Sequence, residues 1–372
     1  MKNVEIKQKP HKPDTIILVL VFTLLLFGLI MISSAGVVIS KTRFGNEYYF
    51  FNHQLLYGVI PGLIALFVVQ KIHYSFWKKV AVPMFIGSLI LLILVFIPGI
   101  GTRLQGASRW IDLGPISFQP TEIMKLSIIL YLAYWIEARG HKVKSFYEGL
   151  VPFLVVIGLV SFLIIKQPDF GTLGATISIS MVMFFVSGVP LKYLFGVGFG
   201  GLSLGYLLIK LEPYRMNRIV TFFDPTADPQ GIGYQINQAL IAIGSGGIFG
   251  LGLGHSRQKF NYLPEPVGDS IFAVISEELG MVGASILILI FLFLVLRGYK
   301  IAQKAPDKFA KLVAVGITSW IIFQALINIM AIVGLIPLTG IPLPFISYGS
   351  TSLVFILIGV GILLNISRYT KA

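Results

Sequence analysis

Runs of about 20 apolar residues recur along nearly the whole chain, separated by short segments rich in Gly, Pro and charge. A helix of that length crosses the roughly 30 Å hydrocarbon core of a bilayer. The runs lie at 15–38, 51–70, 80–98, 119–137, 149–165, 171–188, 191–209, 270–296, 311–334 and 351–367. Lipid offers no partner to backbone N–H and C=O groups, so each run must satisfy its own as a helix. The expected fold is therefore an all-α integral membrane protein of about ten transmembrane helices. A charged fraction of 12%, about half that of a soluble domain, agrees. The first run follows a basic stretch, MKNVEIKQKPHK, as a signal peptide would. It is too long for one and shows no clear small-residue cleavage site, so it is read as a retained span.

Charge sets the orientation. With the N-terminus inside, the cytoplasmic segments hold 18 of the 29 Lys and Arg residues and the opposite side 10, with Lys125 inside a span. The layout is then a cytoplasmic terminus at 1–14, spans one to seven over 15–209 and a large extracytoplasmic loop over 210–269. Spans eight to ten follow over 270–367, and a cytoplasmic end at 368–372. The net charge of +13 is dispersed over loops rather than gathered in one patch, which argues against nucleic acid. With no cysteine, disulfides, thiolate metal sites and a Cys nucleophile are excluded.

The loop 210–269 is longer than a solute carrier needs. Its glycine-rich part, GSGGIFGLGLG, resembles a phosphate loop only superficially. No Lys-Ser/Thr pair follows, no strand precedes, and the face is one where nucleoside triphosphate is scarce. Residues 234–243 suit a helix lying in the interface. Upstream, Gly196, Gly200, Gly201 and Gly205 have the small-residue spacing of close helix packing.

Charges at membrane depth are costly and so informative. Glu122 and Lys125 are three residues apart on one helical face. They are either a structural pair that locks helices or part of a wet, anion-binding cavity, and Arg109 just upstream favours the cavity. Asp269 stands where it could cap a helix or act chemically. Asp169 is read as a cap. Glu277 and Glu278 point about 100° apart, so one of them is expected to make a structural or capping bond. Arg109, Lys125, Arg215 and Arg218 would be cations on the outer side, suited to phosphate, with Asp269 as the acid. A lipid-linked sugar diphosphate with a hydroxyl to deprotonate fits that set.

The stretches GASRWIDLGPISFQPTEIMKL, QPDFGT, PYRMNRIVTFFDP, GYQINQALIAIGSGGIFGLGLGHSRQKFNYLPEPVGDSIFAVISEELG and PLTGIPLPFISYGSTSL carry a resemblance. In that order they are similar to the SEDS family (shape, elongation, division and sporulation), the peptidoglycan glycosyltransferases that include FtsW and RodA. The resemblance implies ten spans in the bacterial cytoplasmic membrane and polymerisation of lipid II on its outer face, with undecaprenyl diphosphate leaving. It implies Asp269 as the essential carboxylate, and Arg109, Glu122 and Lys125 as cavity residues. The family commonly has His and a small polar residue at Val267 and Gly268, and Phe at Ser270. No cofactor is evident, and a divalent cation on the diphosphate is compatible. Implied partners are a class B penicillin-binding protein (a transpeptidase) and other division proteins. QKFNYLPEP and NIMAIVGLIPLTGIPLPFISYGS look more like FtsW, the division form, than RodA, the elongation form. Two alternatives share the fold: a lipid II flippase, which needs an inward-opening polar route, and a scaffold without chemistry.

Overall fold

The computed structural model describes residues 10–104, 107–112, 117–210, 213–224 and 231–370. Its helices are α1 (Thr15–Phe44), α2 (Tyr49–Val69), α3 (Ser75–Leu94), α4 (Pro120–Arg139), α5 (Phe146–Lys166) and α6 (Phe170–Val186). They continue as α7 (Leu191–Lys210), α8 (Pro213–Phe223), α9 (Ile232–Gly246), α10 (Ile271–Gln303), α11 (Lys308–Ile332) and α12 (Ser350–Ser367). Seven of them, α1, α2, α3, α5, α10, α11 and α12, are long and apolar enough to cross a membrane. The integral membrane, essentially all-helical architecture is thus observed.

Aspartates start several helices where the sequence supplies them. The carboxylates of Asp14, Asp169 and Asp307 accept from the backbone N–H of Ile17, Thr172 and Ala310 at 3.1, 3.2 and 2.8 Å. Each satisfies one donor that the first helical turn leaves open. Asp169 is the cap its position suggested. The first helix runs past residue 38 to Phe44, where Gly45 adopts a left-handed cap, so the helix outlasts its apolar run.

Helix α11 is the axis of the bundle. In its most apolar window 72% of residues are buried within the protein, against 22% in α3. It packs against α4, α6, α10 and α12. Outward-facing residues such as Leu26, Ile64 and Phe293 stay exposed and form the lipid-facing surface. Both termini meet at one end, where the Asp14 N–H donates to Ser367 Oγ at 2.9 Å and Arg297 pairs with Asp14 at 2.6 Å.

Three features depart from expectation. First, the segment after α3 holds a three-stranded antiparallel sheet in the order β1 (Gly101–Leu104), β2 (Ala107–Asp112), β3 (Ser117–Phe118). Thr102 pairs with Trp110 and Arg103 with Ser108, so Arg109 is the extra residue of a bulge. Second, the glycines of α7 pack against no helix among the described residues. A Cβ at Gly196, Gly200, Gly201 or Gly205 would meet open space.

Third, α10 is broken at Gly280, with φ 64° and ψ −168°. The glycine-rich hairpin 247–252 fills the break. Leu251 and Gly252 donate to the carbonyls of Glu277 and Glu278 at 2.9 and 3.0 Å, and Met281 and Val282 donate to Gly247 and Ile248 at 2.9 and 3.1 Å. This explains the glycines without any phosphate. A Cβ at Gly250 would stand 2.2 Å from the Glu278 carbonyl oxygen, and one at Gly280 would stand 2.3 Å from the Gly250 nitrogen.

Candidate active site

Asp269 lies two residues ahead of α10, in a turn whose carbonyls are each claimed by a neighbour. Tyr348 N–H donates to Val267 at 2.8 Å, Ser347 Oγ to Gly268 at 2.7 Å, and Asn328 Nδ2 to Asp269 at 2.8 Å. The backbone is fixed from α11 and from the loop 333–349. Gln235 Nε2 on α9 stands 3.4 Å from both carboxyl oxygens and donates to Ser270 Oγ at 3.1 Å. Ser270 occupies the N-cap position of α10 and its side chain makes no capping bond, while the Asp269 carboxyl accepts from the backbone N–H groups of Asp269 itself and of Ser270.

The carboxyl makes no ion pair among the described residues. Surrounding protein penalises its charge, and the nearby Glu265 carboxylate adds to that. Together they push its pKa up to about 6, against a lowering contribution from the Gln235 hydrogen bond. A half-buried acid near 6 is ionised at neutral pH and can accept a proton there.

The loop 333–349 connects the other expected site residues. Arg218 Nη1 donates to the Leu338 carbonyl at 2.9 Å, and a Cβ at Gly340 would lie 3.9 Å from Asp269 Oδ2. Ile341 accepts from Asn328 at 2.7 Å and Pro342 from Gln324 at 3.1 Å. The side chain of Arg215 lies outside the described residues.

Lys125 requires a correction. Its ammonium is 2.8 Å from Glu122 and 2.8 Å from Gln324 Oε1, and lies 5.1 Å from the centre of the Trp320 ring. Both charged residues are almost wholly buried. The wet anion cavity expected around Lys125 is not what these contacts make; they lock α4 to α11. The reason is cost: an ammonium this deep is tolerated only when paired and hydrogen-bonded.

Arg109 is likewise committed to protein. The bulge turns it towards the QPDFGT turn, where Nε donates to the Gln167 carbonyl at 3.0 Å and Nη2 to the Pro168 carbonyl. It braces the start of α6 rather than standing as a cation beside Asp269.

Glu277 and Glu278 also differ from expectation, because both are structural. Glu277 accepts from Ser256 Oγ and from the N–H groups of Arg257 and Gln258. Glu278 pairs with Lys259 at 2.9 Å and accepts from Ser34 Oγ at 2.7 Å. The loop 254–259 wraps the helix far enough to meet both directions.

Four residues that sequence reasoning did not single out complete the region: Gln235, Trp320, Gln324 and Asn328. Trp320 Nε1 donates to Gln324 Oε1 at 2.7 Å, one helical turn along α11. The spacing of Trp320, Gln324 and Asn328 by fours in an apolar helix was the available signal.

A family model described as cell cycle protein (FtsW, RodA, SpoVE) matches residues 14–372. The chain is 43% identical to stage V sporulation protein E of Bacillus subtilis (strain 168), over 98% of this chain and 99% of that one. It is 40% identical to the probable peptidoglycan glycosyltransferase FtsW of Geobacter sp. (strain M18), over 95% and 96%. A solved chain from a peptidoglycan synthase complex, reported for its structural coordination of polymerization and crosslinking, matches with a TM-score of 0.78. There the identity is 27%, covering 96% of this chain and 98% of that one. The rod shape determining protein RodA of Thermus thermophilus matches at 0.70 and 26%, over 96% and 98%. Whole-length agreement in sequence and fold places the chain in the FtsW/RodA/SpoVE family of cell cycle proteins.

Proposed function

We propose that this chain is a peptidoglycan glycosyltransferase that polymerises lipid II at the outer face of the bacterial cytoplasmic membrane. The observation that carries the reading is Asp269: a carboxyl with no ion pair among the described residues, fixed by its backbone and pushed up to about 6. Its ionised form takes the proton of the acceptor sugar's 4-hydroxyl. That oxygen forms a new bond to the anomeric carbon of a lipid-linked chain. The bond from that carbon to undecaprenyl diphosphate breaks, with inversion, and the electron pair leaves on the diphosphate. Arg218, held to the Leu338 carbonyl of the loop beside Asp269, and Arg215 on the same helix are the cations assigned to that charge, while Arg109 supports the site by bracing the start of α6. Lys125 and Glu122 support the site by fixing Gln324, which holds the Pro342 carbonyl. A divalent ion on the diphosphate would be met by Asp269 and by Glu265, whose carboxylate is near enough to raise the Asp269 pKa.

A division or sporulation role is favoured over elongation, since relatives named for FtsW and sporulation protein E are 40–43% identical and RodA 26%. The similarity to a synthase complex supports a class B penicillin-binding protein as the partner. The ten-span arrangement with both termini cytoplasmic belongs to the same proposal, supported by the shared end of the termini and the charge bias.

The test is polymerisation of purified lipid II by the full chain, with and without its transpeptidase partner. Glycan polymer is expected, and more of it with the partner. A chain that carries fluorescent lipid II across a liposome membrane but makes no polymer under either condition would overturn the reading in favour of the flippase.

A further inference from the structure

At the end of the bundle where the termini meet, a cavity of about 540 Å³ opens between the start of α1, the end of α10 and the end of α12. Its lining includes His11, Lys12, Arg297, Lys300 and Lys304, with Asp14 as the one carboxylate among the described residues. Asp14 is already committed: one oxygen caps α1 and the other takes Arg297 at 2.6 Å. Among the described residues no ion pair involves Lys12, Lys300 or Lys304. Four formal cations thus face one carboxylate that is spent on a pair. The wall is also built, because the His11 N–H donates to the Arg368 carbonyl at 2.9 Å and Asp14 N–H to Ser367 Oγ.

We propose that this cavity binds the phosphate headgroup of an anionic phospholipid in the leaflet at the end carrying both termini. Two observations point to a lipid rather than a soluble anion. Arg297, Lys300 and Lys304 follow the three- and four-residue steps of one helix face. The same face continues deeper as Phe293, 59% exposed, flanked by Leu289 and Leu296, with Ile16 of α1 also exposed. Cations at the membrane boundary above an open apolar stripe match a headgroup above acyl chains. Basic pockets between membrane helices on the cytoplasmic side are suited to such headgroups, and the charge count puts this end in the cytoplasm. The site is separated from Asp269 by about 30 residues of α10, on the order of 45 Å of helix. Its success or failure is therefore independent of the proposed reaction.

The experiment uses the full chain, stripped of lipid in detergent. Phosphatidylglycerol, phosphatidylcholine and inorganic phosphate are titrated separately, with bound lipid read by native mass spectrometry and melting temperature in parallel. Phosphatidylglycerol should bind and raise the melting temperature, with little effect from phosphatidylcholine or phosphate. Lys300→Gln/Lys304→Gln, at two exposed positions, should weaken phosphatidylglycerol binding roughly 30-fold, about five-fold per cation. Lys12→Gln, near the chain end, should weaken it about five-fold. Lys71→Gln/Lys79→Gln, at two exposed cations of the same end outside the cavity, should change it little. Equal losses in the two double variants would show a diffuse surface field and overturn the site. Stabilisation by inorganic phosphate alone would replace the lipid with a soluble anion, and equal binding of phosphatidylcholine would remove the headgroup from the argument.

Discussion

Lys125, through Gln324, and Asp269, through its turn, are both tied to the loop 333–349, and the protein treats their charges in opposite ways. Lys125 is 1% exposed and has a carboxylate, an amide oxygen and an aromatic ring around it. Asp269 has one side-chain amide at 3.4 Å beside the backbone N–H groups of its own turn, a second carboxylate nearby that opposes its ionisation, and no cation paired to it among the described residues. A charge that is fully compensated holds structure together. One left under-compensated is available to a substrate. Sequence reading could find both residues, because both are unusual in an apolar chain, but could not tell the two uses apart.

The largest expected effect tests the available charge. Asp269→Asn should lower lipid II polymerisation by about 10²–10⁴-fold, the usual worth of a positioned base. It should melt at the same or a higher temperature. An acid whose folded pKa is raised to about 6 is protonated preferentially by the folded state, so its stability contribution is lost as pH rises through that value. The wild-type rate should accordingly climb as pH rises through about 6. Retained polymerisation within two-fold would erase the contrast.

The committed charge should show the reverse pattern. Lys125→Met strands Glu122 in a dry contact and should cost about 3–5 kcal/mol in denaturation experiments. Lys125→Met/Glu122→Gln should recover most of that loss. If the single variant melts like wild type while polymerisation disappears, Lys125 belongs with Asp269 after all.

A smaller effect is expected at the residue joining the two regions. Asn328→Leu leaves the carbonyls of Asp269 and Ile341 without their donor and should cost about 1–3 kcal/mol. The rate should fall with it, because the turn carrying the carboxylate is released. The smallest effect is a shift rather than a loss. Gln235→Met removes a hydrogen bond that lowers the Asp269 pKa, so the rising limb of the pH–rate profile should move up by less than about one pH unit. A downward move would show that Gln235 supports the protonated form.

The apolar runs found the helices because each must carry its own hydrogen bonds in lipid, whatever its neighbours do. Where neighbours decide, the reading failed. The strands after α3 have four, six and two residues and exist only through their pairing. Glu277 and Glu278 were correctly read as pointing apart, yet a loop about 20 residues upstream meets both. The family motif singles out Asp269 in the sequence. Gln235, Gln324 and Asn328 were not legible, because a neutral amide carries no obvious penalty in a sequence scan. The α7 glycines have the right spacing for packing but no helix against them among the described residues.

The break at Gly280 has a consequence for the order in which the molecule is made. Residues 247–252 are translated before α10, and their cross-bonded partners, Glu277 to Val282, do not yet exist. Until those residues emerge, the hairpin has to keep its amides hydrated outside the hydrocarbon. Once they arrive, two incomplete pieces of backbone finish each other in a single event. A nascent chain halted near residue 269 should therefore leave 247–252 open to protease, and release by a few more turns of synthesis should close it.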